Sequence, residues 1–149
     1  MKKIILLIFI FTLCISNAKE STILFLGDSL TEGLGVDKQE AYPALVEKMF
    51  QKRVKKDIKI INGGVSGSTT SDGLERLKWY MKKRPDFVFV ALGANDGLRG
   101  LDLNQTQKNL EEIIKFIKNS NSKPLLAGML IPPNYGPKYS LDFENIFKN

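Results

Sequence analysis

Four short apolar runs that alternate with segments of helical period constrain this chain more than any other feature. Thr22–Leu26 ("TILFL"), Ile58–Ile61 ("IKII"), Asp86–Leu92 ("DFVFVAL") and Pro124–Leu130 ("PLLAGML") have strand length and bulk, and each reads as a buried strand. Between them, Tyr42–Arg53 is amphipathic, Asp72–Arg84 places Leu74, Leu77 and Met81 on one side, and Asn104–Asn119 continues the helical spacing. Pro85 ends the second of these helices. Short apolar strands separated by helices of this length predict a parallel sheet with helices on both faces, an α/β doubly wound fold in three layers. At 149 residues the chain is of single-domain size, enough to bury one core.

The ends differ from the middle. Lys2 and Lys3 precede an uncharged apolar run from Ile4 to Ile15, and Ser16 and Ala18 stand at the minus-three and minus-one positions of a cleavage site. That layout reads as a secretory signal peptide over 1–18, with the folded domain over 19–149 and a secreted or periplasmic destination. The run is too short to serve comfortably as a permanent membrane anchor. Cys14, the one cysteine, belongs to the apolar run, because Phe11-Thr12-Leu13 before it lacks the small residues of a lipidation signal. Cleavage after Ala18 therefore leaves no cysteine and no disulfide. At the other end, "YSLDFENIFKN" has the pattern of an amphipathic helix just begun, with Leu141, Phe143, Ile146 and Phe147 expected to lack a surface to bury against.

The formal charge of +6 falls by two, to +4, with the loss of Lys2 and Lys3. The remaining lysines follow helical faces, as in "VEKMFQKRVKKDIK", with no aromatic interleaving. This is a solvated surface and not a nucleic-acid footprint, and it permits at most peripheral contact with anionic lipid.

In open α/β sheets the site lies beyond the carboxyl ends of the strands. Three of the loops there are small and polar: Gly27-Asp28-Ser29-Leu30, Asn62-Gly63-Gly64-Val65-Ser66-Gly67-Ser68-Thr69 and Gly93-Ala94-Asn95-Asp96-Gly97. Each taken singly has a plain reading. Asp28 or Ser29 can cap a helix, the glycines can permit a turn, and Asn95 can close a loop. The second loop lacks the Gly-Lys-Ser/Thr of a nucleotide loop, and Gly33-Leu34-Gly35 lacks the third glycine of a dinucleotide fingerprint. Taken together, three consecutive strands that each end in a donor-bearing loop describe a serine with an oxyanion hole, built from the Ser29 N–H, the Gly67 N–H and the Asn95 side chain.

These blocks resemble the SGNH (GDSL) hydrolases, and within them the secreted thioesterase I, lysophospholipase and arylesterase group. "FLGDSLTEGLGV" is similar to the family's first block, "INGGVSGSTTSDGLERL" to its second, "ALGANDGLRG" to its third, and "IPPNYGPKY" to the loop after its fourth strand. The resemblance implies a flavodoxin-like fold and Ser29 as nucleophile. It also implies Ser29, Gly67 and Asn95 as oxyanion donors, no metal or cofactor, and an acyl ester, thioester or lysophospholipid substrate. Ser68 departs from the pattern, since relatives of this subgroup often carry Asp there.

The larger departure is the family's Asp-x-x-His element, which supplies the base and the acid that orients it. Asp142 is followed by Phe-Glu-Asn, and the chain contains no histidine. A serine hydroxyl without a base is a poor nucleophile, so the polypeptide as written is expected to be nearly inactive. Two explanations compete: a truncated esterase whose codons beyond Asn149 would encode the missing motif, or a pseudoenzyme that binds lipid or carbohydrate. Intact oxyanion donors and an unfinished last helix favour the first. A strand four left at the sheet edge would then make the product prone to aggregate.

Overall fold

A computed structural model describes residues 20–54 and 58–148. The expected signal peptide lies outside them. Four parallel strands form one sheet: β1 (Ser21–Gly27), β2 (Ile58–Gly64), β3 (Phe87–Ala91) and β4 (Lys123–Leu126), in the order β2-β1-β3-β4. The register pairs Gly27 with both Gly64 and Ala91, so β1, β2 and β3 end level with one another.

Successive β1 side chains point to opposite sides of the sheet. Leu24 and Leu26, both fully buried, pack with Leu77, Val88, Val90, Leu110, Ile113 and Ile117 in the main core. Leu77 belongs to α3 (Thr70–Met81); Leu110, Ile113 and Ile117 belong to α5 (Leu103–Asn119). Phe25 points the other way, its ring 5.0 Å from Phe89 and 5.6 Å from Tyr42 at the start of α2 (Tyr42–Val54). Helices thus lie on both faces, and the three-layer α/β/α expectation holds.

Local chemistry sets the element ends. Asp102 caps α5 by accepting from the Asn104 and Gln105 amides at 2.8 and 3.4 Å, and Thr106, Leu110, Ile113 and Ile117 form its buried stripe. α3 stops at Met81, three residues before the expected Arg84. Lys83 and Arg84 donate to Tyr80 and Met81 in a tightened last turn, and Arg84 adopts φ +49°, which no right-handed helix continues.

Two expectations are corrected. β4 covers only Lys123–Leu126 and does not reach Leu130. Its last ladder bond runs from the Ala127 amide to the Val90 carbonyl at 2.9 Å; beyond Ala91, β3 turns into its own loop and offers no further partner. The C-terminal segment also finds a surface. A 3₁₀ turn at Pro133–Tyr135 leads into α6 (Pro137–Ile146), where Phe143 is fully buried and Ile146 nearly so. The space under Phe143 exists because residue 97 is glycine: a Cβ there would lie 2.6 Å from the Phe143 ring and 2.8 Å from Ile131. Leu141 alone of the four apolar residues stays well exposed, at 54%.

Candidate active site

The level ends of β1, β2 and β3 bring three loops to one edge of the sheet. β1 leads through Asp28 into α1 (Ser29–Glu32), and β3 leads through Gly93 into α4 (Ala94–Leu98). Because β1 lies between β2 and β3, Ser29 stands between the loop that carries Gly67 and the helix that carries Asn95.

Asp28 is 3% exposed, and its carboxylate accepts from the Leu30 amide at 3.0 Å. It caps α1 through that bond. At the first position of α1, the Ser29 N–H has no intrahelical acceptor, and it takes none from elsewhere among the described residues. The Gly67 N–H likewise has no acceptor among them. Asn95 Nδ2 spends one of its two hydrogens on the Ser68 carbonyl, at 2.8 Å. Three amide donors with unspent capacity thus lie on the loops beyond these three strand ends.

Loop two is fixed from both sides. On the α1 side, Glu32 accepts from the Ser66 amide at 2.7 Å and from the Ser66 hydroxyl. The hydroxyl bond, then the amide bond, holds the Glu32 carboxyl below its ordinary pKa of 4.5. Asn62 Nδ2 donates to the Thr31 carbonyl at 2.7 Å, while its Oδ1 accepts from the Gly64 amide at 2.9 Å. Residue 64 must be glycine here, because a Cβ would sit 2.1 Å from the Glu32 backbone nitrogen. On the α4 side, Arg99 Nη2 donates to the Gly67 carbonyl at 3.0 Å. Gly67 itself has φ +79°, a left-handed conformation that a side chain would strain.

Beneath the loops, Asp96 is 2% exposed and accepts from the Thr70 amide at 3.0 Å, from the Thr70 hydroxyl at 2.5 Å and from the Thr106 hydroxyl at 3.4 Å. It ties α4 to the start of α3 and to α5. Arg76 Nη1 reaches the Gly27 carbonyl at 3.1 Å and the Gly63 carbonyl at 3.4 Å, joining the ends of β1 and β2. Tyr42 shares a hydrogen bond with Thr31 at 2.9 Å, and its burial pushes the phenol pKa up. Among the described residues no three His, Cys, Asp or Glu side chains gather as metal ligands.

Ser29, Gly67 and Asn95 therefore sit on three adjoining loops, as the sequence reading expects. Glu32, Asn62, Asp96 and Arg99 escaped it as clamping residues. Their partners are mostly backbone atoms some 26 to 34 positions away, so the only local signal was that Asn62 and Asp96 lie inside the three loops and Glu32 and Arg99 two residues beyond them.

The model of the GDSL-like Lipase/Acylhydrolase family matches residues 25–146, a span that contains all three loops. The chain belongs to this family. Among family members, it is 37% identical over 141 residues to thioesterase 1/protease 1/lysophospholipase L1 of Escherichia coli (strain K12), covering 94% of this chain and 66% of that protein. It is 35% identical to an arylesterase of Vibrio mimicus, over 99% of this chain and 74% of that one. The chain thus spans just under two thirds of the Escherichia coli relative. Among solved structures, the SGNH-hydrolase family esterase AlinE4 superposes with a TM-score of 0.84 at 40% identity, over 89% of this chain and 71% of that one. The esterase EstA from Pseudoalteromonas sp., inhibited by monoethylphosphonate, gives 0.81 at 37% identity, over 87% and 70%. The family shown is that of the SGNH-type ester hydrolases.

Proposed function

We propose that these residues form the nucleophile and oxyanion half of a serine esterase acting on fatty acyl esters, thioesters or lysophospholipids. Ser29 Oγ attacks the acyl carbonyl. The Ser29 N–H, the Gly67 N–H and the second Asn95 Nδ2 hydrogen receive the negative charge that develops on its oxygen. The observation that carries this reading is the set of donors left unspent beside one serine at the meeting of three strand ends. The chemistry needs no cofactor. Collapse of the tetrahedral species breaks the ester or thioester bond, releases the alcohol or thiol with the proton taken from Ser29, and leaves an acyl-Ser29, which water then cleaves to the free acid and serine.

Both steps need a group that takes and returns a proton, and these 149 residues contain no histidine. The polypeptide by itself is therefore nearly inactive, with only what positioning and the oxyanion hole supply, about 10³ to 10⁴ over water. Imidazole added to the buffer can stand in for the missing side chain. The expected result is p-nitrophenyl ester turnover that rises with imidazole beyond the buffer reaction, is absent in Ser29→Ala, and falls about 10²-fold or more in Asn95→Ala. Equal imidazole-dependent rates in the parent chain and Ser29→Ala would remove Ser29 as nucleophile. Robust fluorophosphonate labelling of Ser29 without imidazole would remove the claim of inactivity.

Export is part of the proposal, supported by the layout of residues 1–18. A secreted product should begin at Lys19 by N-terminal sequencing. A product that retains Met1 would contradict it.

A further inference from the structure

Arg99 has a second capacity that holding loop two does not use. Its guanidinium offers five N–H donors, of which one bond, Nη2 to the Gly67 carbonyl at 3.0 Å, is made within the described residues. The residue is exposed, and no carboxylate forms an ion pair with it there. The acids of the neighbouring loops are engaged elsewhere: Glu32 with Ser66, Asp96 with Thr70 and Thr106, and Asp102 with the first amides of α5.

Its anchor matters because Gly67 is also the residue whose N–H faces the reacting carbonyl in the proposed function. Amide nitrogen and carbonyl oxygen of one residue lie roughly 3 Å apart, so the guanidinium is held within one residue's length of that donor. Exposed apolar side chains flank it in sequence, Leu98 at 45% and Leu101 at 40%, and Leu30, next to Ser29, is 73% exposed. A cation fixed next to an oxyanion donor, flanked by exposed apolar side chains, fits an amphiphile with an anionic group a few bonds from its ester.

We infer that Arg99 is a specificity-determining residue, which binds a phosphate or carboxylate borne by the acyl substrate close to its scissile ester. The inference rests on the Ser29–Gly67–Asn95 reading and names the substrate class of that site. Planar guanidinium suits the role better than ammonium, because two parallel N–H groups can meet two anion oxygens while Nη2 stays on Gly67. Glu32 stands on the α1 side of loop two, so the anion is accepted from the α4 side.

Since the chain lacks a base, binding is read without turnover. The probes are decyl phosphate, decyl maltoside and inorganic phosphate, each below any micelle threshold and followed by calorimetry and by amide chemical shifts. The parent chain is expected to bind decyl phosphate about tenfold more tightly than decyl maltoside, with the Gly67 and Arg99 signals moving. Arg99→Met should abolish that preference by weakening decyl phosphate more than decyl maltoside, since loss of the Gly67 clamp acts on both ligands alike, and Arg99→Lys should restore part of it. Lys118→Met, on the distant α5, should behave as the parent. Unchanged amide spectra outside the three loops establish that the variants are folded.

Four results would overturn the inference: an undiminished phosphate preference in Arg99→Met, no preference in the parent, equal loss in Lys118→Met, or inorganic phosphate binding as tightly as decyl phosphate. If neither amphiphile binds, the acyl-site reading itself fails, which separates the two ideas.

Discussion

At the scale of single residues, the proposed site is a serine with backbone and amide donors on loops that are held in place by other side chains. Asp96 shows the energetics. Its carboxylate is buried and stabilised by three donors from Thr70 and Thr106, so Asp96→Ala leaves the buried Thr70 hydroxyl and amide without an acceptor, while the Thr106 hydroxyl keeps the Asp102 carbonyl at 3.1 Å. The expected cost is about 2–4 kcal/mol, measured as a lower urea midpoint at unchanged slope. Glu32 shows the pH dependence. Its carboxyl titrates below 4.5 because the ionised form is hydrogen-bonded by Ser66. The link is therefore intact above 4.5 and is lost as pH falls through the lowered value. The Ser66 and Gly67 amide signals should stay constant from neutral pH down to about 5 and then shift together below it. In Glu32→Gln that shift should vanish, and its persistence would show that another group titrates. None of these roles could be seen from the residues alone. Ser29, Gly67 and Asn95 were legible because each closes a strand with a recognisable loop, whereas Glu32 and Arg99 take meaning only from carbonyls and amides that the fold brings near.

At the scale of elements, what was legible depended on how far each element's limits are written in its own residues. β1 and β3 read correctly because their runs are continuously apolar, with Leu24, Leu26, Val88 and Val90 buried on the α3–α5 side and Phe25, Phe87 and Phe89 turned to the other. α5 read correctly because a strong buried stripe lies between an aspartate cap and a positive-φ Asn121. Replacing the cap, Asp102→Ala, should cost about 1 kcal/mol, seen as a small fall in the unfolding midpoint and faster amide exchange in the first turn of α5. No loss in either would assign the start of α5 to tertiary packing instead. β4 was misjudged because its length is set by β3: Ala127 to Leu130 is apolar enough for a strand, but β3 has already turned away. The burial of α6 was misjudged for the opposite reason. The helix was visible in "YSLDFENIF", but the socket for Phe143 is created by Gly97, 46 positions earlier, and nothing in the sequence around Gly97 signals a ring packed against it.

At the scale of the whole molecule, the three layers are unequally complete among the described residues. One face of the sheet carries α3 and α5 over a continuous core. The other carries α2 against β1 and β2, so Phe87 and Phe89 on β3 are only half-buried and Leu125 on β4 is 49% exposed. The outer edge of β4 has no strand beside it, and an open groove of about 360 Å³ runs along α5 to Leu126 and Ile146. Natural edges are often blunted by lysine and proline; Lys123 and Pro124 do this for the first half of β4, but Leu125 and Leu126 leave the second half able to pair. A flat apolar face joined to an open edge favours association through that edge, and net charge alone does not prevent it once the apolar surfaces can meet. The purified chain should therefore scatter light increasingly with concentration and with added salt, as screening removes the repulsion between its positive charges. Leu125→Lys places a charge on both the exposed face and the pairing edge while leaving the α3–α5 core untouched. It should suppress the scattering without lowering the unfolding midpoint by more than about 0.5 kcal/mol. If Leu125→Lys and the parent chain aggregate alike, β4 is not the adhesive edge, and the groove beside Ile146 becomes the surface to charge instead.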